Sequence, residues 1–266
     1  MIVKDKNKDV WREIAIECMK VLKVQSTAVL LFVKENKENR MNLALLQLTK
    51  RILINIRAIL DLAGISYKNE GALLFKLPVG LLLRNSLMDC LTGLHILKQD
   101  DMSLNHLLEK LNHDYVSALF EEFEVYRDKI CFSDFSNEFA EQIYTMSLED
   151  TFSHYFDINV DFKDSGSFKE RSRWKVEPQS KYIPESIKVD TKLSKIHELL
   201  SKDSQLSNCS NSIYAYYKYF SQWEHFSESG TGDAFAGFGE DNIKIPMAFS
   251  YINTALDFML NNTNKG

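Results

Sequence analysis

The stretch "LLLRNSLMDCLTGLH", residues 81–95, decides the fold, because it is too apolar for a surface helix and too polar for a membrane span. Apolar residues cover nearly every side of a helix drawn at about 100° per residue, which indicates a helix surrounded by others. Arg84 and Asp89 lie near the middle of the longer apolar segment 77–97, and charges at mid-span are costly in lipid. We therefore expect a buried central helix and no membrane association.

The remainder of the chain also has a helical pattern. Its 266 residues include only 4 Pro and 10 Gly, which favours long uninterrupted helices. Apolar positions recur about every 3.6 residues in eight segments: 10–33, 41–63, 77–98, 101–130, 133–155, 191–202, 211–226 and 246–260. Gly64 is expected to end the second helix, and the last is expected to run from Pro246. The fold prediction is an all-α, single-domain bundle of about seven or eight helices over residues 1–266, with an irregular insertion at 157–190.

Charge and cysteine usage indicate the setting of the protein. A net charge of −5 gives no overall attraction to nucleic acid, and the basic run "KERSRWK", residues 169–175, is favoured as a solvated loop over a phosphate-binding patch. The four cysteines are widely spaced and form no Cys-x-x-Cys pair, as is typical of reduced intracellular proteins. The first residues contain no apolar signal-peptide core. These features predict a cytoplasmic protein.

No metal site or cofactor is predicted. His106 and His113 lie seven residues apart, which on one helix face is about 10 Å and too far to share a metal ion. The sequence contains no His-Glu-x-x-His motif, no metal-binding Cys/His spacing and no Gly-x-Ser-x-Gly motif.

The glycine-rich stretch "SESGTGDAFAGFGED", residues 227–241, is similar to the phosphate-binding turn of ribokinase-like sugar kinases. In such a site, Asp233 would be the base. A kinase of that type needs a strand leading into the loop and an apolar helix leaving it. Here a helical segment precedes the loop, and the polar "GEDNIKIP" follows it. We interpret the stretch as a connector between two helices.

Two segments could join in one polar site. In the first, Arg84 and Asp89 need partners, because an unpaired buried charge is very costly. The second segment is "YAYYKYFSQWEHF", residues 214–226, with aromatic side chains on one side of the helix and polar groups on the other. The predicted binding residues are Arg84, Asp89, Tyr217, Ser221, Glu224 and His225. Arg84 and His225 are also the candidate catalytic residues.

These motifs resemble those of bacterial all-helical families similar to HEPN domains. Such families carry a helix of the form apolar-Arg-x-x-x-x-acid, matched by Arg84 and Asp89, and a late helix ending in Ser-x-x-x-His, matched by Ser221 and His225. The resemblance covers two short helices. It implies an all-helical fold and, by analogy with HEPN ribonucleases, metal-independent RNA cleavage in a toxin or in phage defence. The Arg-x4–6-His spacing of those ribonucleases does not occur in this sequence.

Three interpretations of the polar groups remain open. They could form a buried network that only fixes helix register, a ligand site, or a catalytic site in which an Arg stabilises a phosphate and a His moves a proton. The leading expectation is a non-catalytic intracellular binding or regulatory module for a protein partner or a small polar ligand. The alternative is a HEPN-like ribonuclease, and RNA is a partner only under that alternative. Self-association into a homo-oligomer is a further expectation.

Overall fold

A computed structural model describes residues 8–23, 40–69, 73–108, 110–111, 191–224, 232, 238–239 and 241–263. Within these ranges the regular elements are helices and no strand occurs, which confirms the all-α fold class. The helices are α1 (8–23), α2 (Arg40–Lys68), α3 (Lys76–Ile96), α4 (101–108), α5 (Leu193–Leu200), α6 (Ser207–Ser221) and α7 (Asp241–Thr263). A short 3-10 turn, Leu73–Phe75, leads directly into α3. The helix predicted at 133–155 and the insertion predicted at 157–190 lie outside the described residues.

The chain divides into two compact units. The first contains residues 1–100 and 192–266, and the second contains residues 101–191. Of the second unit, the structure describes α4, residues 110–111 and Thr191. The single-domain interpretation of the whole chain stays a prediction. All of the polar residues discussed below belong to the first unit.

Helix α3 is the centre of the first unit. It contacts α2, α5, α6 and α7, which together cover it on several sides. Its buried residues accordingly occur around most of the helix: Lys76, Val79, Gly80, Leu83, Ser86, Leu87, Asp89, Cys90, Leu91, Gly93, Leu94, His95 and Ile96. This is the arrangement predicted from the nearly continuous apolar pattern of residues 81–95. Among the described residues, no helix combines the length and apolar content needed to cross a bilayer.

Helix α3 meets its neighbours closely at two glycines. Gly80 lies against the aromatic rings at the end of α6: a Cβ built there would overlap the Trp223 ring and come within 3.2 Å of Phe220 Cδ1. A Cβ at Gly93 would lie 2.5 Å from Met259 Cε of α7, the flexible end of a side chain. Gly80 therefore allows a backbone approach that a larger residue would prevent.

The helix boundaries predicted at Gly64 and Pro246 are wrong, and α6 spans Ser207–Ser221 rather than the predicted 211–226. Helix α2 continues through Gly64 to Lys68, because Ala63 and Ser66 on either side are buried and their packing outweighs the low helix propensity of glycine. Helix α7 begins at Asp241 and contains Pro246. Proline removes the amide that would bond the carbonyl of Asn242, and Asn242 is exposed, so water can replace that bond.

Substitution by alanine should have opposite effects on stability at Gly64 and at Gly80. Gly64→Ala should raise the free energy of unfolding by about 1 kcal/mol, because Gly64 is an exposed helical residue and a Cβ there meets nothing within 4 Å. Gly80→Ala should lower it by about 1–3 kcal/mol through overpacking against Trp223. Urea denaturation of both variants measures this. A stable Gly80→Ala protein would contradict the close approach of α3 and α6.

Candidate functional site

The candidate site lies where the middle of α3 meets the end of α6. Helix α6 ends at Ser221 and continues as a turn through Glu224. Tyr217, Ser221 and Glu224 are spaced at i, i+4 and i+7, so they follow one side of the helix. Arg84 extends from α3 towards that side. The structure therefore brings four of the six predicted binding residues together.

The guanidinium of Arg84 is held from several directions. Its Nε donates a hydrogen bond to Ser221 Oγ at 3.1 Å, and its Nη1 donates to Asn85 Oδ1 at 3.3 Å. Its Nη2 forms an ion pair with Glu224 Oε2 at 2.9 Å. The group lies over the ring of Tyr217, with Cζ 5.4 Å from the ring centre. Ser221 Oγ donates its own proton to the carbonyl of Tyr217 at 2.7 Å, which fixes the hydroxyl as an acceptor for Arg84.

The two charged partners differ in their exposure to water. The Arg84 side chain is 21% exposed, whereas the Glu224 side chain is 47% exposed. Ser221 is buried beneath them. The sequence predicted that Arg84 lies inside the core. Arg84 is instead half-buried at the edge of the first unit. An ion pair of this exposure contributes modestly to folding, about 0–1 kcal/mol.

The ring of Tyr217 is itself supported by a row of flat groups. Tyr217 lies beside Tyr214, with ring centres 6.0 Å apart and planes 22° from parallel. Tyr214 in turn stacks on His197 of α5 at 4.1 Å and 10°. His197 Nε2 is 2.8 Å from Asn211 Oδ1, to which it can donate a hydrogen bond. The surface on which Arg84 lies is therefore fixed by contacts from two helices.

Asp89 does not belong to this cluster, and its predicted contact with the late helix is wrong. Five residues at about 100° each place Asp89 roughly 140° around α3 from Arg84, so that it faces α2. There its Oδ1 pairs with Arg51 Nη2 at 3.2 Å. Asp89 is 2% exposed, whereas the Arg51 side chain is 59% exposed. Burial raises the pKa of Asp89 to about 6, although Arg51 acts in the opposite direction.

Two other sequence predictions fall on residues that the structure does not describe. His225, the sixth predicted binding residue and a catalytic candidate, lies outside the described residues. Most of the glycine-rich stretch 227–241 does too, including Asp233. The connector interpretation of that stretch therefore stays a prediction.

A buried ion pair beside the site was missed by sequence reasoning. Lys76, at the start of α3, is fully buried and pairs with the carboxylate of Asp241, at the start of α7. The Tyr219 hydroxyl donates a hydrogen bond to the same carboxylate. The Lys76 ammonium also lies over the rings of Trp223 and Phe238, at 5.1 and 5.8 Å. These contacts join three helices at one point.

One sequence signal could have indicated this pair. Lys76, Gly80 and Arg84 are spaced four residues apart and so share one face of α3. Asp241 was assigned to a loop because Pro246 was taken as the start of the last helix. An acidic residue is favourable in the first turn of a helix, so Asp241 could have been recognised from the sequence as the start of the last helix. Within the described ranges, no group of three or more His, Cys, Asp or Glu side chains could hold a metal ion.

The free energy of unfolding should be highly sensitive to loss of the buried Lys76–Asp241 pair. Lys76→Met should lower the free energy of unfolding by about 3–5 kcal/mol, because Asp241 stays buried without its countercharge. The matched change Lys50→Met, at an exposed lysine of α2, should have little effect. Chemical denaturation measures both. If Lys76→Met/Asp241→Leu is no more stable than Lys76→Met, the unpaired carboxylate is not the cause.

Asp89 should make the protein less stable as the pH rises from about 4 to 6. The folded carboxyl keeps its proton up to about pH 6, whereas the unfolded one releases it near its ordinary value of 3.8. The folded state therefore binds more protons across this range, and raising the pH favours unfolding. Asp89→Asn should remove this dependence and be at least as stable as the parent at pH 7. Unfolding curves of both proteins from pH 4 to 7 measure the difference, and parallel pH profiles would contradict the assignment.

Comparison with models of protein families, with curated proteins and with solved structures finds no match for this chain. What the protein binds is therefore inferred from the residues around Arg84.

Proposed function

We propose that this chain is a non-catalytic binding or regulatory module, and that the cluster of Arg84, Tyr217, Ser221 and Glu224 contacts its ligand. The observation that carries the proposal is the placement of Arg84, whose guanidinium is half-buried, fixed on three sides and neutralised by an exposed carboxylate. The ligand is a small polar molecule or a polar group of a protein partner. The buried, unpaired thiols of Cys18 and Cys90 support a reducing setting, and we propose the cytoplasm.

Preorganisation favours a binding role for Arg84. An arginine that must be ordered when its ligand arrives loses side-chain entropy, which weakens binding. Here Ser221, Asn85 and the Tyr217 ring already hold the guanidinium. Arginine residues in such settings are also frequent at the energetic centres of protein interfaces.

The contacts of Ser221 support the absence of a nucleophilic reaction in this cluster. A catalytic serine needs a base that accepts its hydroxyl proton. Ser221 instead donates that proton to the carbonyl of Tyr217 and accepts a hydrogen bond from Arg84. Among the described residues, no histidine or carboxylate bonds the Ser221 hydroxyl.

A thermal-shift screen against amino acids, carboxylates, sugar phosphates, nucleotides and short peptides tests the proposal. Binding to the native state raises the melting temperature, so at least one class should stabilise the parent protein. Arg84→Met should abolish that shift, whereas Arg57→Met, the same change at an exposed arginine of α2, should preserve it. A ligand shift that is equal in the parent and in Arg84→Met would refute the role of the cluster.

Incubation with RNA in the presence of a metal chelator tests the alternative. The binding proposal expects intact RNA. Cleavage that is lost in a folded His225→Ala variant would replace the binding module with the HEPN-like ribonuclease implied by the sequence resemblance.

A further inference from the structure

We propose that the ligand recognised by Arg84 carries a carboxylate, which binds by taking the place of the Glu224 side chain. This inference rests on the function proposed above and assigns it a ligand class. The Arg84–Glu224 ion pair is then an exchangeable contact. Glu224 pairs with the guanidinium when no ligand is bound, and its side chain rotates away into the solvent when a ligand binds.

The balance of charge around Arg84 favours this exchange. Ser221, Asn85 and the ring of Tyr217 hold the guanidinium but carry no charge. Among the described residues, Glu224 is the acid that forms an ion pair with it. Asp89 on the same helix is paired with Arg51 instead. Exchanging Glu224 for another carboxylate leaves the cluster neutral.

The position of Glu224 also favours the exchange. It lies three residues beyond the end of α6, and its side chain is nearly half exposed. Water can therefore solvate the Glu224 carboxylate as soon as it leaves Arg84, so the exchange does not bury an unpaired acid. Arg84 is less exposed and is held by neutral neighbours, so it is the fixed member of the pair.

Geometry and charge favour a carboxylate over a phosphate. The planar guanidinium matches the planar carboxylate, and the Nη2 contact with Glu224 at 2.9 Å shows where such an oxygen lies. A dianionic phosphate would leave an excess negative charge on the cluster of a chain whose net charge is already −5. The ring of Tyr217, which is partly exposed, packs against the same guanidinium. A ligand whose carboxylate is attached to a flat or apolar group can therefore also contact this ring.

Benzoate is a suitable probe, with benzamide as its uncharged counterpart and inorganic phosphate as a different anion. Titration calorimetry at low salt should detect benzoate binding and no comparable binding of the other two. Glu224→Gln should bind benzoate about fivefold more tightly than the parent, because the competing carboxylate is gone. Arg84→Met should weaken binding at least about tenfold. Glu13→Gln, at an exposed acid of α1, should match the parent.

A second comparison separates a free small molecule from the end of a partner chain. N-acetylphenylalanine and its amide model a C-terminal residue with and without its carboxylate. Tighter binding of this acid than of benzoate favours a chain terminus, and the reverse order favours a small aromatic acid. Arg84→Lys serves if Arg84→Met does not fold, as judged by circular dichroism, because it keeps the charge and loses the planar fork.

The outcomes distinguish this inference from the function on which it rests. If Glu224→Gln binds benzoate no more tightly than the parent, the exchange is wrong. If neither protein binds either acid, but a ligand of the thermal-shift screen that lacks a carboxylate depends on Arg84, the ligand class is wrong and the binding function stands. If nothing binds through Arg84, both fail.

Discussion

The contact between Trp223 and the backbone of Gly80 sets the distance between α3 and the end of α6, and the contacts that Lys76 and Arg84 make with that end depend on it. One turn before Gly80, Lys76 reaches Asp241 and the Trp223 ring. One turn after it, Arg84 reaches Ser221 and Glu224. A side chain at position 80 would push the aromatic residues away and lengthen the contacts of Lys76 with Trp223 and of Arg84 with Ser221 and Glu224. A residue without a side chain thus sets the geometry of the Arg84 cluster.

The two ion pairs share a helix face but differ in physical character. The Lys76–Asp241 pair is buried, so its charges interact strongly, and if either side chain moves away the other stays buried without a countercharge. That property suits a permanent connection between α3 and α7. The Arg84–Glu224 pair reaches water on the side of Glu224, where screening weakens it. That property suits a contact that opens. The change from a buried pair to an open one occurs over two turns of α3.

The sequence was sufficient for the features that depend on pattern. The all-α class and the central position of α3 follow from apolar periodicity, and the meeting of Arg84 with Ser221 and Glu224 follows from the need of a half-buried cation for acceptors. Features that depend on tertiary packing were not accessible in the same way. Helix α2 continues through Gly64 because of the residues that it buries on either side. The Lys76–Asp241 pair joins residues 165 positions apart, which no local spacing reveals.

Asp89 shows that the partner of a buried charge depends on which neighbouring helix the residue faces. Its need for a cation was inferred correctly, but the angular offset from Arg84 excludes a shared partner. The partner on the facing helix, Arg51, is largely exposed and therefore compensates the buried carboxylate only in part. Its Oδ2 has no hydrogen-bond partner among the described residues, which adds to the unfavourable environment of the charge.

The rigidity of the Arg84 cluster also limits how strongly it can bind. Because Ser221 and Tyr217 already orient the guanidinium, a ligand loses little free energy in ordering the site. It must, however, displace Glu224, so the net gain is the difference between two similar carboxylate contacts plus whatever the rest of the ligand adds. One carboxylate by itself is therefore bound weakly. Selectivity must come from the rest of the ligand, and the Tyr217 ring against Arg84 favours a flat or apolar group over a polar one.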